Sequence, residues 1–431
     1  MSMSAVIVSV SFVVFIMIGM PLFAAVGLTA ALALYLIDIP LTLIVQTGIS
    51  SLQPFPLLSI PLFILAGRLM ETGGMAESMI SIAKSLVGAY RGSMAIVTIF
   101  GCAMFAALSG SSPATTAAIG SVTIPEMRRQ GYPNRFAAGI AASAGALGSM
   151  IPPSNLMIIY CLVASESIPR MFLAGILVGL VVSVLMAGIA VTICIYKGYG
   201  ELSGEPFRLR PVICAFWQGR WAIAAPVIIL GGIYGGIFTP TEAAAVAVFY
   251  ALFVGTFIYR KLTLKGILES LRFTALISGI LIIIAPAYAF GQILAFYDLP
   301  DAVQGVLGGI LDNPMLVMLL IGLFLIAVGT FMESLATIVL FAPIFLPTSI
   351  AMGVDPLVFG IFLILSCEIG LLTPPLGGNL NIAARLSNQT VERVSIGALP
   401  FLLPYMIGMM LIILFPSIVT FLPDLVYGAR L

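Results

Sequence analysis

Side chains able to hold an ion or a small polar solute gather at two places in this chain. The first runs Ser109-Gly110-Ser111-Ser112-Pro113-Ala114-Thr115-Thr116 and continues downstream at Gly148-Ser149-Met150-Ile151-Pro152-Pro153-Ser154-Asn155. The second runs Met332-Glu333-Ser334-Leu335-Ala336-Thr337, with Thr330 just ahead, and continues at Gly370-Leu371-Leu372-Thr373-Pro374-Pro375. Ser112 to Ser334 is 222 residues, and the same interval separates Thr115 from Thr337, Pro125 from Pro347, Gly148 from Gly370 and Pro152 from Pro374. One offset held from Ser112 to Pro152 marks an internal repeat. Two Gly/Pro-broken polar segments at corresponding places in two hydrophobic halves point to a transporter binding site.

Broken helices expose carbonyls and C-terminal ends that suit Na⁺, and positive N-terminal ends that suit the acidic group of a substrate. A hard cation wants several oxygen ligands. Ser109, Ser111, Ser112 and Asn155, with carbonyls near Pro152, are candidates for one cation site. Thr330, Ser334, Thr337, Thr373 and Asn379 are candidates for its counterpart. Thr115, Thr116, Pro153, Ser154, Gly377 and Gly378 are candidates for contact with the substrate. The plainer reading of Ser, Thr and Gly in membrane helices is interhelical packing. Their clustering at breaks that repeat in register favours a site over packing.

Glu333 falls at the tip of the second segment, where the offset places Ser111 in the first. An intramembrane carboxylate is a functional hypothesis by default, here proton coupling or ion ligation. The alternative is a carboxylate that caps the helix after it. Glu368, about a turn before the second Pro-Pro break, has the same two readings and a weaker case for function.

Composition sets the class. The chain of 431 residues is 61% hydrophobic and 8% charged, too few charges to cover a soluble domain, so it is a polytopic all-α membrane protein. It has no histidine, which removes the commonest metal ligand and acid–base group and argues against a membrane redox enzyme or zinc protease. Cys102, Cys161, Cys194, Cys214 and Cys367 lack CxxC spacing and read as small apolar fillers. The N-terminus has no basic region of a cleaved signal peptide, so its first apolar stretch reads as a span.

The elements that must position the two clusters follow from length. Apolar runs at 4–19, 21–37 and roughly 51–72 read as spans, the third carrying Arg68 and Glu71 near its end. Residues 75–91, interrupted by Glu77, Lys84 and Arg91, suit an amphipathic helix in the interface. From Ser93 to Pro125 there are two limbs, each short of the ~20 residues a span needs. That suggests a re-entrant hairpin, 93–125, with Ser112 as N-cap and Pro113 at the first helical position. A broken span, 136–165, and a span at 172–195 complete a first repeat, 1–200. A polar cytoplasmic linker at 201–220 separates it from a second repeat, 221–431. There the expected elements are spans at 221–237, 241–259 and 273–297, a hairpin at 315–347, a broken span at 356–384 and a last span at 395–422.

Charge orients the halves. The loop after the first hairpin carries Arg128, Arg129 and Arg135, whereas the matching stretch from Thr348 to Pro356 has only Asp355. By the positive-inside rule the first hairpin opens to the cytoplasm and the second to the opposite side. Counting outward puts the basic stretches 197–220, 260–272 and 385–393 inside, and Asp298, Asp301 and Asp312 outside. The count closes only with five spans and one hairpin per half. Five is odd, so the halves form an inverted-topology repeat with both termini outside.

At these residues the chain resembles a family. The runs Ser109 to Thr116, Gly131-Tyr132-Pro133, Ile151-Pro152-Pro153-Ser154 and Leu372-Thr373-Pro374-Pro375-Leu376-Gly377-Gly378-Asn379-Leu380 look like the large membrane subunit of tripartite ATP-independent periplasmic (TRAP) transporters. The resemblance covers essentially the whole chain. It implies the elevator-type fold of the ion-transporter superfamily and sodium-driven uptake of an organic acid, such as a C4-dicarboxylate, sialic acid, a keto acid or a sugar acid. It also implies a bacterial or archaeal inner membrane, no cofactor beyond coupling sodium ions, and two partners. These are a small four-helix membrane subunit and a periplasmic substrate-binding protein. Because the chain begins at the first span, the small subunit is expected as a separate polypeptide.

Three other classes compete. A stand-alone sodium- or proton-coupled dicarboxylate or citrate permease would share the hairpins and need no binding protein. A channel would need a continuous polar pore, and polarity here sits in two clusters. An enzyme would need a nucleophile–base pair or metal ligands. Topology is directly testable. A cysteine placed at Gln130 is expected to react with impermeant reagent from the cytoplasm, and one at Met352 from the outside. Labelling of both from one side would defeat the inverted arrangement.

Overall fold

The computed structural model describes residues 3–88, 90–200, 209–297 and 313–429. Asp298, Asp301 and Asp312, and the Glu201, Glu205 and Arg208 part of the expected linker, lie outside the described residues. Among the described residues every regular element is helical. Most helices are apolar all round rather than on one stripe, as expected where one side meets protein and the other lipid. Seven are long and apolar enough to cross a membrane by length and composition.

The chain opens with α1 (Met3–Met17), α2 (Leu22–Leu36), α3 (Thr42–Leu52) and α4 (Ser59–Thr72), then α5 (Met75–Val87). The first hairpin is α6 (Ser93–Ser109) and α7 (Ser112–Arg129). The first broken helix is α8 (Asn134–Gly145), which tightens into a 3₁₀ turn at Ala146–Ser149, and α9 (Asn155–Ala164). α10 (Ile168–Lys197), α11 (Leu209–Tyr234), α12 (Pro240–Phe253), α13 (Leu264–Ser278) and α14 (Ile284–Phe296) follow. The second hairpin is α15 (Pro314–Gly329) and α16 (Ser334–Ala351). The second broken helix is α17 (Pro356–Leu371) and α18 (Gly378–Ser387), and the chain closes with α19 (Val391–Leu414) and α20 (Ser417–Tyr427).

Several expected boundaries move. The first hairpin runs past Pro125 to Arg129, so Glu126, Arg128 and Arg129 form its last turn. Basic groups there complement the helix C-terminus. The second hairpin likewise runs past Pro347 to Ala351. The expected linker at 201–220 is helical from Leu209 onward, and the basic loop at 260–272 is helical from Leu264, where Thr263 caps by accepting from the Gly266 N–H. The last expected span is two helices, parted at Phe415-Pro416. Residues 42–52, the last two of which fall within the expected third span, form a helix of their own.

The helix bounds follow the register seen in the sequence. α7 starts at Ser112 and ends at Arg129; α16 starts at Ser334 and ends at Ala351, each 222 residues on. The packing exchanges partners in the same register. α4 packs on α12 while α2 packs on α14, and α18 packs on α7 while α9 packs on α16. Each hairpin's second limb therefore rests on the far end of the other half's broken helix, and this draws the two tips together. Tyr160 donates to the Pro356 carbonyl at 2.6 Å, tying the two broken helices together, and Tyr405 of α19 donates to the Ser143 carbonyl of α8 at 2.6 Å.

Close backbone approach holds α8 against α19. A Cβ built on Gly397 would fall 1.9 Å from the Arg135 carbonyl oxygen, and one on Gly139 would fall 2.2 Å from the Gly397 carbonyl carbon. Small residues let membrane helices meet in this way. Gly139→Ala and Gly397→Ala are each expected to destabilise by ~1–3 kcal/mol through overpacking. The readout is a lower melting temperature of the purified protein in detergent. Gly188→Ala, where a Cβ meets nothing within 4 Å, is the control and should melt no lower than wild type.

Candidate functional site

The first hairpin tip is built by α6 ending at Ser109 and by Gly110 in the left-handed region, φ +60°, whose N–H donates to the Ala106 carbonyl at 3.1 Å. A side chain at 110 would meet the Pro153 carbonyl oxygen at 2.3 Å, so the turn and the close approach both require glycine. Ser111 is extended and takes the N-cap position of α7, one residue before the expected Ser112, and its side chain makes no capping bond. Ser112 is already helical, and its hydroxyl turns to the Glu368 carboxyl at a long 3.4 Å. At the facing break Ser154 caps α9, accepting from the Met157 N–H and donating to the Ser149 carbonyl at 2.7 Å. The Asn155 N–H donates to the Gly110 carbonyl at 3.2 Å and joins break to tip.

The second half makes the corresponding junction with different side chains. Glu333 is the N-cap residue of α16, yet its carboxylate makes no capping bond. The Leu376 N–H donates to the Thr330 carbonyl at 3.1 Å, again joining break to tip. Gly377, φ +43°, starts α18. The Pro152-Pro153 and Pro374-Pro375 bonds are both cis.

Both tips open on one cavity of about 340 Å³, within the ~300–1,000 Å³ usual for small-molecule sites. Of the expected residues, Ser109, Ser111, Ser112, Asn155, Glu333, Ser334 and Gly378 line it. The others stand behind it. Thr115 shares a 2.7 Å hydrogen bond with Ser109, and Thr116 donates to the Ser112 carbonyl at 3.0 Å. Both threonines press on the first broken helix, where a Cβ on Gly148 or Gly145 would strike their hydroxyls. Thr330, Thr337 and Thr373 donate to carbonyls of their own helical turns. Pro153 and Ser154 belong to the break, and Asn379 is fully buried with neither amide atom partnered.

Two further charged residues line the cavity that are not among the expected site residues. Glu368 was weighed and given the weaker case; its side chain is fully buried, in the last turn of α17, and lies where the two tips meet. The hydroxyls of Ser149 and Ser334 face the same carboxyl as that of Ser112. Glu368 Oε2 and Ser334 Oγ nevertheless have no hydrogen-bond partner, nor does Asn155 Oδ1. A carboxylate near a helix C-terminus meets the wrong end of the helix dipole. Burying it unpaired costs several kcal/mol. The site therefore asks for a cation or a proton. The second residue is Arg68 on α4, which lines the same cavity. The signal for both was present, since an ionisable residue inside an apolar run marks a site. What the sequence does not give is the distance from Ser112 to Glu368 in space, since 256 residues separate them in the chain.

Residues 9–418 match the family model described as "Tripartite ATP-independent periplasmic transporter, DctM component". The chain is 34% identical over 439 residues to the C4-dicarboxylate TRAP transporter large permease protein DctM of Rhodobacter capsulatus, covering 98% of this chain and 99% of that one. It is 37% identical over 384 residues to the sialic acid TRAP transporter large permease protein SiaM of Vibrio cholerae, covering 89% and 90%. It is 39% identical over 404 residues to the isethionate TRAP transporter permease protein DctMQ of Oleidesulfovibrio alaskensis, covering 93% of this chain and spanning 63% of that protein's length. Its fold resembles the crystal structure of the Alcanivorax borkumensis YdaH transporter, with a TM-score of 0.56 over 94% of this chain and 97% of that one at 14% identity. The family read from the tip and break motifs is thus borne out: this chain belongs to the DctM family of TRAP transporter large permeases, multi-pass membrane proteins of bacterial TRAP systems and not enzymes.

Proposed function

We propose that this chain carries a small organic acid across the bacterial inner membrane, driven by sodium. In this reading the acid arrives on a periplasmic binding protein, and a small four-helix membrane subunit completes the complex. Glu368 carries the proposal. A fully buried carboxylate, ringed by the hydroxyls of Ser112, Ser149 and Ser334 and left with an unpartnered oxygen, is the donor set a hard cation needs. Asn155 Oδ1, also unpartnered, lines the same cavity. The named substrates of the relatives, a C4-dicarboxylate, sialic acid and isethionate, are all organic anions. The halves are read as inverted in the membrane, supported by the 222-residue register of helix bounds and by the exchange of packing partners. Hairpins and broken helices would then move together as an elevator against the remaining helices.

Sodium-site variants test the coupling. Ser112→Ala, Ser334→Ala and Glu368→Gln are each expected to leave the protein inserted and to weaken apparent sodium affinity, by ~1–3 kcal/mol per lost ligand. The measurement is melting temperature, and uptake, against sodium concentration. Glu333→Gln separates the ions. Under sodium coupling its uptake still follows the sodium gradient, whereas under proton coupling it loses gradient-driven uptake and keeps only exchange. Wild-type sodium dependence in the first three variants, together with loss of uphill uptake in Glu333→Gln, would reassign coupling to Glu333. The partners have their own test. The chain alone in liposomes should move little substrate until the small subunit and the loaded binding protein are added. Full transport by the chain alone would make it a stand-alone permease.

A further inference from the structure

Arg68 is the one cation among the described residues that line the cavity, which Glu333 and Glu368 also line. Its place is fixed by its neighbour. A Cβ on Gly67 would fall 2.8 Å from the Ser109 Cα, so α4 lies directly on the first hairpin tip. The guanidinium stacks over the Phe273 ring at 5.0 Å and donates through Nη1 to Glu71 at 2.7 Å. Its Nε is buried and has no partner. A guanidinium has five donors in a fixed fork that matches an acid group in pairs, so Glu71 leaves most of that capacity unused. The bland alternative is a structural staple, in which Arg68 neutralises Glu71 and pins α4 to α13.

The walls beside Arg68 decide what else the ligand carries. Ile60 and Ile64 flank it on α4, and Phe273 and Ile277 face it from α13. Among the described lining residues, hydroxyl and amide groups come only from the hairpin tips and the first break, at Ser109, Ser111, Ser112, Ser149, Asn155 and Ser334, and none from α4 or α13 apart from Arg68 itself. An acid group on Arg68 would lay its carbon skeleton along apolar walls. A polyol there would lose hydrogen bonds to water and find few replacements.

We infer that Arg68 anchors the acidic group of a small, sparsely hydroxylated organic anion, a carboxylate or sulfonate. This rests on the cavity being the transport site proposed above. With sodium beside Glu368 that carboxylate no longer repels an anion, and Arg68 sets which end of the ligand faces α4. A ligand held this way bridges α4 and the hairpins.

The test uses the full chain in nanodiscs with radiolabelled succinate, competed by isethionate or by N-acetylneuraminate, a polyhydroxylated acid. Wild type is expected to bind succinate in sodium, with isethionate displacing it better than N-acetylneuraminate does. Arg68→Gln should weaken binding by ~10-fold or more, the worth of a charge-assisted bond. Arg68→Lys should recover part of that loss, because charge without the fork is a weaker anchor. Glu71→Gln, which breaks the ion pair and keeps the guanidinium, should bind at least as tightly as wild type. Sodium alone should raise the melting temperature of wild type and Arg68→Gln equally. Undiminished succinate binding by Arg68→Gln overturns the anchor. Equal losses in Glu71→Gln and Arg68→Gln make it a staple and also overturn it. Stronger displacement by N-acetylneuraminate than by isethionate overturns the ligand class. A missing sodium shift in wild type counts against sodium coupling, and the comparison of wild type with Arg68→Gln still decides the anchor.

Discussion

Two backbone hydrogen bonds hold the centre of this protein together. A helix broken at membrane depth leaves N–H and C=O groups with no water to meet them, and each costs several kcal/mol if left alone. Here the Asn155 N–H meets the Gly110 carbonyl and the Leu376 N–H meets the Thr330 carbonyl. Each break is therefore satisfied by the tip of the hairpin that precedes it. Hairpin and broken helix cannot part without exposing those groups, so each pair is one mechanical unit. The Gly110 turn, the Ser154 cap and the Thr115–Ser109 hydroxyl pair all serve that junction.

Because the junctions use up backbone polarity, side chains are left to face the cavity. Threonines that return their hydroxyls to their own helix, such as Thr337 and Thr373, are satisfied locally and add no ligand. Among the described residues lining the cavity, the buried side-chain atoms left without a partner are Glu368 Oε2, Ser334 Oγ, Asn155 Oδ1 and Arg68 Nε. In a low-dielectric interior an unpartnered polar atom is costly, so a cluster of them is better explained by a ligand than by packing.

Much of this was legible in the sequence because the break chemistry is local. Gly-Ser-Ser-Pro and Pro-Pro-Ser-Asn announce helix ends in the first half, and the return of Ser112, Thr115, Pro125 and Pro152-Pro153 at one offset points to matching ends in the second. The errors have physical causes. Pro125 and Pro347 were read as helix ends, yet both hairpin limbs continue through them. Within a packed bundle a proline costs one backbone bond, and neighbours and local adjustment can satisfy the freed carbonyl. The N-cap slipped from Ser112 to Ser111 because three serines near one turn are equivalent in propensity, and only the Glu368 contact distinguishes Ser112. That contact joins residues far apart in sequence, which no local pattern encodes. Arg68 was visible as a charge in an apolar run, but its partner cavity is assembled from helices that the sequence orders without placing.

The repeat supplies geometry, and the chemistry comes from where the repeat fails. By the 222-residue offset Glu333 corresponds to Ser111, Glu368 to Ala146 and Arg68 to Phe290. No charge lining the cavity has a charged counterpart. A symmetric pair of tips would present the same partial charges from both sides and could not orient a ligand with distinct ends. Putting both carboxylates on the second half and the guanidinium on the first turns a symmetric frame into a polar one. On the reading proposed above, cations would be drawn to Glu333 and Glu368, and an acid group to Arg68. The same asymmetry would make the two kinds of ligand depend on each other, since an anion beside two bare carboxylates is repelled until a cation neutralises them. Dependence of that kind is what coupled transport requires, and on the reading proposed above three charged side chains within an otherwise apolar frame would supply it.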